Sequence, residues 1–222
     1  MTLTSDKSAR SAARFVGVVW AAISSTGGAT RPSRHGHVHF SEAVAPNWLA
    51  RQPLPIDANR PPDVPVALVG PPDRDGANEF ERHTDITALT EAYTARPRTR
   101  LYEAVQRGDS SWIGQTCHHL GRLSKSNLEV LCSVFQSTAT DEKLPAHWDM
   151  WYGVVVQAIG LKEWTIGTGL FDGPADDVQT VTTKPGDILI LPKGLPHTVS
   201  TPVDPGYSVH LAFALNRDNQ TK

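Results

Sequence analysis

The sequence predicts a mainly β fold of the sandwich or small-barrel type, built as one domain. Its second half contains short segments rich in Val, Ile, Thr and aromatic residues, separated by turns of Gly, Pro and Asp. Seventeen prolines and seventeen glycines in 222 residues favour many turns and short strands over long helices. A chain of this length can bury a substantial core within a single domain.

Six segments have the length and composition of β-strands. They are residues 128–135, 153–159, 163–166, 178–183, 187–191 and 208–215. Turn residues separate them at intervals of about 10 to 25 residues, which is typical of a sandwich or small barrel. We therefore expect the β core to span about residues 128–216.

The first half of the chain is predicted to flank this core. Residues 1–34 read as a partly mobile N-terminal extension whose apolar segment, Phe15 to Ile23, forms a frayed or packed helix. Eight prolines between residues 46 and 72 disfavour helix and central strand, so this part should follow the surface with Val64–Val69 as an edge strand. Helical spacing of apolar residues predicts two or three helices within about residues 80–125.

Charge and cysteine content exclude several classes of function. The chain is 20% charged with a formal net charge of −2, so it offers no basic field for nucleic acid or an anionic membrane. No apolar run reaches the roughly 20 residues that span a bilayer. Cys117 and Cys132 could form one bridge but make no disulfide framework. We expect a cytoplasmic protein, monomeric or homodimeric, without nucleic-acid or membrane partners.

Three residues, His147, Asp149 and His197, form the most informative pattern. Residues two apart on a strand point to one face, so His147 and Asp149 can reach one point while Trp148 faces away. Further along, residues 184–197 predict a turn, a buried strand and a second turn that delivers His197. Two neutral imidazoles and one carboxylate on one face of an octahedral ion leave three positions open, as in the facial triad of non-haem Fe(II) oxygenases. A structural zinc site would require a fourth ligand, which the pattern does not supply.

The second of these motifs resembles a known family. Gly186-Asp-Ile-Leu-Ile-Leu-Pro-x-Gly-x-Pro-His197, followed by Ser208-Val-His-Leu-Ala-Phe213, resembles the distal half of the JmjC/cupin-4 family, notably bacterial ribosomal oxygenases. Together with His-x-Asp, the order of motifs matches across about residues 128–216, and Phe40–Leu54 resembles the family's N-terminal segment. The resemblance implies a double-stranded β-helix, the jelly roll of cupins, with N-terminal helices packed against one sheet. A JmjC-like catalytic domain would then occupy residues 35–222.

The same resemblance implies an Fe(II)- and 2-oxoglutarate-dependent oxygenase that uses O2 and holds iron with the three residues above. Lys162, in a Gly-x-Lys-x-Trp stretch ending at Trp164, stands thirteen positions after Asp149, where the family places a basic residue. It would hold the distal carboxylate of 2-oxoglutarate, and Trp164 would lie in the same site. Ser133 and Phe135 occupy positions where relatives carry Asn and Tyr that contact the co-substrate. Phe135 cannot donate a hydrogen bond there.

Other histidines offer alternatives. The alternating group is His35, His37 and His39. On a strand these three would share a face and could bind Zn, Cu or Ni, although no carboxylate accompanies them. His118 and His119 are adjacent in a predicted helix, so their side chains diverge. His210, on the last predicted strand, is expected either to line the pocket or to pack in the core.

The substrate class follows from the extent of the sequence. Because it ends a few residues after its last predicted strand, whereas ribosomal oxygenases carry further domains, we expect hydroxylation of an amino acid, a peptide or a small biosynthetic intermediate. Two other functions stay open. One is a cupin-type metal dioxygenase or isomerase that does not use 2-oxoglutarate, and the other is a non-catalytic cupin-like binding module.

The aromatic residues near the metal motif are expected in the core, with one or two shaping the substrate cleft. They are Trp148, Trp151, Tyr152 and Trp164.

Overall fold

The computed structural model describes residues 3–25, 36–39, 49, 51–56, 64–72, 78–107, 112–124, 129–171 and 173–215. The helices within these ranges are α1 (Leu3–Ser25), α2 (Ile86–Ala95) and α3 (Trp112–Ser124). The first six strands are β1 (Gly36–His39), β2 (Val66–Pro72), β3 (Asn78–His83), β4 (Thr99–Tyr102), β5 (Leu131–Thr138) and β6 (Leu144–His147). The other six are β7 (Tyr152–Gly160), β8 (Lys162–Ile166), β9 (Gln179–Thr183), β10 (Asp187–Leu191), β11 (His197–Ser200) and β12 (Tyr207–Leu215). Two short 3-10 turns, Thr168–Leu170 and Ala175–Asp177, lie between β8 and β9.

The strands form two antiparallel sheets. The larger sheet has eight strands in the order β1-β10-β7-β12-β5-β4-β2-β3, and the smaller has four in the order β6-β11-β8-β9. Strands distant in sequence lie side by side in both sheets, as in a jelly roll. The predicted mainly β fold with flanking helices is confirmed.

Period-two alternation places polar and small side chains on the inner face of the large sheet. On β12, Val209, Leu211 and Phe213 point outward into the main core. The intervening His210 and Ala212 line a cavity between the sheets. Because successive strand residues point to opposite faces, one sheet can serve both a dry core and a ligand cavity.

The outer face of the large sheet is covered by α1 and α3. Phe15 on α1 is fully buried and meets Trp112 of α3 edge-to-face, with ring centroids 6.0 Å apart. It also contacts Phe213 of β12. The sequence predicts this helix as part of an extension, but its apolar face lies in the main core. Residues 26–34 of the expected extension lie outside the described residues. No helix in the described ranges is long and apolar enough to cross a bilayer.

The expectation that Val64–Val69 forms an edge strand is wrong. The observed strand, β2, lies between β3 and β4, and Val66 and Leu68 are fully buried. Its pairing with β4 uses residues 66–69, which contain no proline. The prolines at 71 and 72 follow that paired stretch, so β2 keeps the backbone donors that a central strand needs.

The region expected to be helical, about residues 80–125, also contains strands. Leu101 lies on β4, and Val105 lies in the turn that follows it, although both matched a helical spacing. β3 escaped the sequence analysis because its residues are mostly charged or polar. It is held at the edge of the sheet by pairing with β2. Here tertiary pairing overrides local pattern.

Gly160 supports a testable prediction about the end of β7. Its φ is +65°, and a Cβ at this position would overlap the carbonyl oxygen of Tyr207 on β12. We expect Gly160→Ala to lower the free energy of unfolding by at least about 2 kcal/mol. The matched control is Gly17→Ala on α1, where a Cβ meets nothing within 4 Å. That change should raise stability by up to about 1 kcal/mol.

Chemical denaturation of both variants measures these effects. A Gly160→Ala protein within about 0.5 kcal/mol of the wild type would contradict the close approach of β7 and β12.

Candidate metal centre and adjoining cavity

The small sheet brings two of the predicted ligands together. His147 is the last residue of β6, His197 is the first of β11, and the two are direct partners in the antiparallel pairing. Their ring centroids are 4.4 Å apart. Two imidazoles 50 positions apart in the chain thus become neighbours through backbone pairing alone.

Both imidazoles are oriented by the same local hydrogen bond. Nδ1 of His147 is 3.0 Å from the carbonyl oxygen of Pro145, and Nδ1 of His197 is 3.0 Å from that of Leu195. A carbonyl oxygen can only accept, so each Nδ1 carries the proton and each neutral ring keeps its lone pair on Nε2. Fixing the tautomer in this way is the usual arrangement behind a metal-binding histidine.

Asp149 lies two residues beyond the end of β6. The expectation that it shares a strand face with His147 is therefore wrong, because β6 ends at His147. A backbone hydrogen bond positions it instead: the amide of Gly194 donates to the carbonyl oxygen of Asp149 at 2.9 Å. Carboxylate oxygen Oδ2 of Asp149 lies 3.9 Å from Nε2 of His197. The loop that follows β6 is thus tied to the turn that precedes β11.

The separation of Asp149 from His197 exceeds that of two neighbouring ligands on an octahedral ion by about 1 Å. Across the ranges that the structure describes, no three His, Cys, Asp or Glu side chains already stand at the distances of a complete ion site. Adjacent ligands of an octahedral ion with bonds of about 2.1 Å lie about 3 Å apart, so Asp149 would close by about 1 Å towards His197. Its side chain is 27% exposed and lies in a loop, which allows that shift.

The site is shielded from solvent at His197 and exposed to solvent at its entrance. His197 is 3% exposed, and burial, followed by the charge of His147, lowers the pKa of its imidazole. The ring is therefore neutral near pH 7, as metal binding requires. Tyr152 and Trp164 are buried as expected, and Trp148 is exposed, contrary to the expected core role. Trp151 is also exposed, but it lines the cavity, as expected for one or two of these aromatic residues.

All seven predicted site residues lie around one cavity of about 800 Å³ between the two sheets. They are Ser133, Phe135, His147, Asp149, Lys162, Trp164 and His197. The proposed metal ligands and Lys162 therefore share one space. A cavity of this size is typical of a small-molecule site.

Lys162 is a buried cation held by hydroxyl groups. Its side chain points inward from β8 and is 2% exposed. Nζ donates to Oγ of Ser137 at 2.8 Å and to Oγ1 of Thr201 at 3.1 Å. Burial lowers its pKa to about 8, while the charge of Asp141 acts in the opposite direction. Among the described residues no carboxylate forms an ion pair with Nζ, so the ammonium is prepared for an incoming anion.

The sequence analysis did not single out Ser137 and Thr201 as partners of Lys162. Ser137 lies on β5 and Thr201 follows β11, and their hydroxyls are 2.7 Å apart. Ser137, with Gln136 and Thr138, is a sequence candidate to replace the missing co-substrate contacts, but isolated Ser and Thr residues carry no motif that pairs Ser137 with Thr201 or Lys162. Their proximity arises from the way the two sheets face each other.

The competing histidines do not form a second described metal site. His118 and His119 lie on α3 with ring centroids 5.8 Å apart. His37 and His39 lie on β1, whose side chains are outside the described part of the structure, as is the whole of His35. Cys117 and Cys132 are both buried and unbridged.

Comparison with known proteins agrees with the fold and the order of motifs. Residues 115–222 match the family model of the JmjC domain. Ribosomal oxygenase 2 of Rattus norvegicus and of Mus musculus are each 29% identical over 98 residues, which cover 39% of this chain and 21% of the relative. Residues 115–222 are therefore similar to the JmjC domain, and the predicted family resemblance is confirmed.

Solved structures extend the likeness towards the N-terminus. The ribosomal oxygenase YcfD of Escherichia coli matches with a TM-score of 0.52 and 20% identity, over 86% of this chain and 50% of YcfD. A YcfD structure in complex with cobalt and 2-oxoglutarate matches with a TM-score of 0.52 at 18% identity and the same coverage. At these identities the likeness shows the fold. This chain spans half of YcfD and about a fifth of the mammalian relatives.

The geometry predicts that an ion binds to His147, Asp149 and His197. We expect His197→Ala and Asp149→Ala to weaken Co(II) binding by at least about 100-fold, because each removes one of three ligands. Calorimetric titration and the visible absorption of bound Co(II) measure the affinity. His118→Ala, an exposed histidine on α3, is the matched control and should bind as the wild type does. Unchanged Co(II) affinity in both ligand variants would place the ion elsewhere, for example at His37 and His39.

Proposed function

We propose that this protein is an Fe(II)- and 2-oxoglutarate-dependent oxygenase that hydroxylates a C–H bond of an amino acid or a peptide. One observation carries the proposal: a single cavity contains two tautomer-fixed histidines, a nearby carboxylate and a buried ammonium group. Three ligands on one side of an ion leave open positions, and a buried cation in the same cavity calls for an anionic ligand.

His147, Asp149 and His197 would hold the iron, which supplies O2 activation when it is bound with the 2-oxo acid. Their task is to keep the ligand positions on one side and to leave the cavity side open. Phe135 and Trp164 provide apolar walls that exclude water from the cavity. Exclusion of water strengthens each charge-assisted contact made inside.

Lys162 would bind the distal carboxylate of 2-oxoglutarate. An ammonium that is 2% exposed and lacks a described counter-ion gains a charge-assisted hydrogen bond when a carboxylate arrives. Ser137 and Thr201 orient Nζ, and the hydroxyl that accepts the hydrogen bond between them keeps its own proton to donate to the same anion. Ser133, which also lines the cavity, would be a further contact of the co-substrate.

The substrate would enter from the open side of the cavity. With about 800 Å³ available, the cavity can hold 2-oxoglutarate together with the side chain of a second molecule. Trp151, Phe80 and Leu131 line its mouth and are each partly exposed, which suits the apolar part of an amino acid or peptide. The relatives named ribosomal oxygenases support a peptide-like substrate. A cytoplasmic location, without nucleic-acid or membrane partners, belongs to the same proposal.

Two experiments test the function itself. Anaerobic titration of the Fe(II)-loaded protein with 2-oxoglutarate should produce a weak visible charge-transfer band. Turnover with candidate amino acids and peptides should release succinate in step with a product heavier by one oxygen atom. A converted substrate without release of succinate would indicate a cupin dioxygenase or isomerase. Metal binding with neither succinate nor a converted substrate would indicate a binding module.

The pKa of Lys162, lowered to about 8, predicts a pH dependence of co-substrate binding. The charged ammonium attracts the carboxylate, so affinity should be constant below pH 8 and fall as the pH rises above 8. Between pH 7 and pH 9 we expect the dissociation constant of 2-oxoglutarate to rise roughly tenfold. Calorimetric titration of the Zn(II)-loaded protein, in which no turnover occurs, measures this change.

Lys162→Arg is the control for this prediction, because a guanidinium stays charged throughout the range and should remove the pH dependence. Lys162→Met should bind 2-oxoglutarate at least about 100-fold more weakly at pH 7. Wild-type affinity in Lys162→Met would show that the anion binds elsewhere. The metal affinity is also measured at each pH without 2-oxoglutarate. This measurement separates the titration of the metal-binding side chains from the titration of Lys162.

A further inference from the structure

His210 is a buried polar residue to which the iron and 2-oxoglutarate scheme assigns no task. It lies on β12, is 4% exposed, and lines the cavity that holds Lys162 and the proposed metal ligands. Its Nδ1 atom is buried and has no hydrogen-bond partner in the described parts of the chain. A buried imidazole without a partner is costly, so its presence calls for an explanation.

Two aromatic neighbours hold the ring in place. Phe135, its direct partner across the pairing of β5 with β12, stacks on it with centroids 4.9 Å apart and an interplanar angle of 7°. Trp164 meets it edge-on at 5.4 Å. The pairing of β12 with β7 shifts register between Val209 and His210, a local irregularity of the kind that re-aims side chains near ligand sites. The imidazole is therefore clamped with little freedom to turn.

The ring lines the cavity in which the proposed anion site lies. Trp164 contacts His210 on one side and His197 on the other, the latter with centroids 6.1 Å apart. The charge of Lys162 acts on His210, and burial together with that charge lowers the pKa of the imidazole well below its ordinary value. His210 is thus neutral and lines the same cavity as Lys162 and His197.

A neutral imidazole has one N–H, and the surroundings of the ring favour one of its two nitrogens for that proton. A buried N–H without an acceptor is less favourable than a buried lone pair without a donor. Because Nδ1 is the buried atom, the proton is better placed on Nε2, at the other edge of a ring that lines the cavity. His210 then presents one hydrogen-bond donor to whatever fills that space.

We propose that His210 is a co-substrate-binding residue whose Nε2–H donates a hydrogen bond to an oxygen of the 2-oxo acid anion. This inference rests on the proposed function, since it requires 2-oxoglutarate in the cavity. Lys162 supplies charge at the distal carboxylate, whereas His210 supplies a directional, uncharged contact. The two together would discriminate a 2-oxo diacid from a monocarboxylate that lacks the second group.

The test separates hydrogen bonding from packing with two variants. His210→Phe keeps an aromatic ring for the stack on Phe135 but removes the donor, and His210→Gln keeps an amide donor near the position of Nε2. In the Zn(II)-loaded protein we expect His210→Phe to raise the dissociation constant of 2-oxoglutarate roughly 10- to 100-fold. His210→Gln should stay within roughly threefold of the wild type. Zn(II) affinity should be unchanged in both, as should 2-oxoglutarate affinity in the exposed-site control His118→Phe.

Several outcomes would overturn the proposal. If His210→Phe binds 2-oxoglutarate with wild-type affinity, His210 does not make the proposed hydrogen bond. If His210→Phe and His210→Gln weaken 2-oxoglutarate binding equally, the role of His210 is packing. If a variant fails to fold, nitrogen-15 NMR of the wild-type Zn(II) protein decides, because Nε2–H of His210 should shift and become protected when 2-oxoglutarate is added. If 2-oxoglutarate binds and this signal is unchanged, the proposed role of His210 is wrong, whereas the proposed function is not affected. A wild-type protein that does not bind 2-oxoglutarate at all overturns the proposed function, and this inference with it.

Discussion

The antiparallel pairing of β6 with β11 is the constraint on which the site depends. It places His147 opposite His197 and leaves each at the end of its strand, where a carbonyl two residues earlier fixes the ring. A shift of one residue in this register would turn one imidazole to the other face of the sheet. The position of the proposed metal is therefore set by backbone hydrogen bonds, and side-chain packing only refines it.

The interior of the barrel carries a second constraint, which is electrostatic. A buried ammonium at Lys162 destabilises the folded protein, since desolvation opposes its charge and its hydrogen bonds within the described residues go to two hydroxyl groups. The large apolar core on the other side of the eight-stranded sheet, built from β12, α1 and α3, offsets this cost. Separation of a dry core from a polar cavity by one sheet lets the fold tolerate a residue that is useful in binding and unfavourable in folding.

The sequence predicted those parts of the molecule in which local pattern and tertiary structure agree. The strands β7 to β10 and β12 alternate or are continuously apolar, and each lies within one residue of its expected bounds. By contrast, β6 and β11, which carry His147 and His197, were not among the predicted strands. Where long-range strand pairing determines the local structure, the predictions from sequence were wrong. Val66–Pro72 lies inside a sheet despite its neighbouring prolines, and Leu101 lies on a strand despite helical spacing. Likewise the contacts of Ser137 with Thr201, and of His210 with Phe135, follow from sheet pairing and sheet facing, which no short motif encodes.

The hydrogen bond from the amide of Gly194 to the carbonyl oxygen of Asp149 has a mechanical consequence. It couples the loop that carries the carboxylate to the turn that leads into His197, so both segments are displaced as one unit when the surface of the protein fluctuates. Their relative spacing is thereby insulated from motions at the rim, where Trp148 and Trp151 face solvent. A substrate could displace the exposed side chains of Trp148 and Trp151 while this bond keeps the backbone at Asp149 next to the turn that leads into His197.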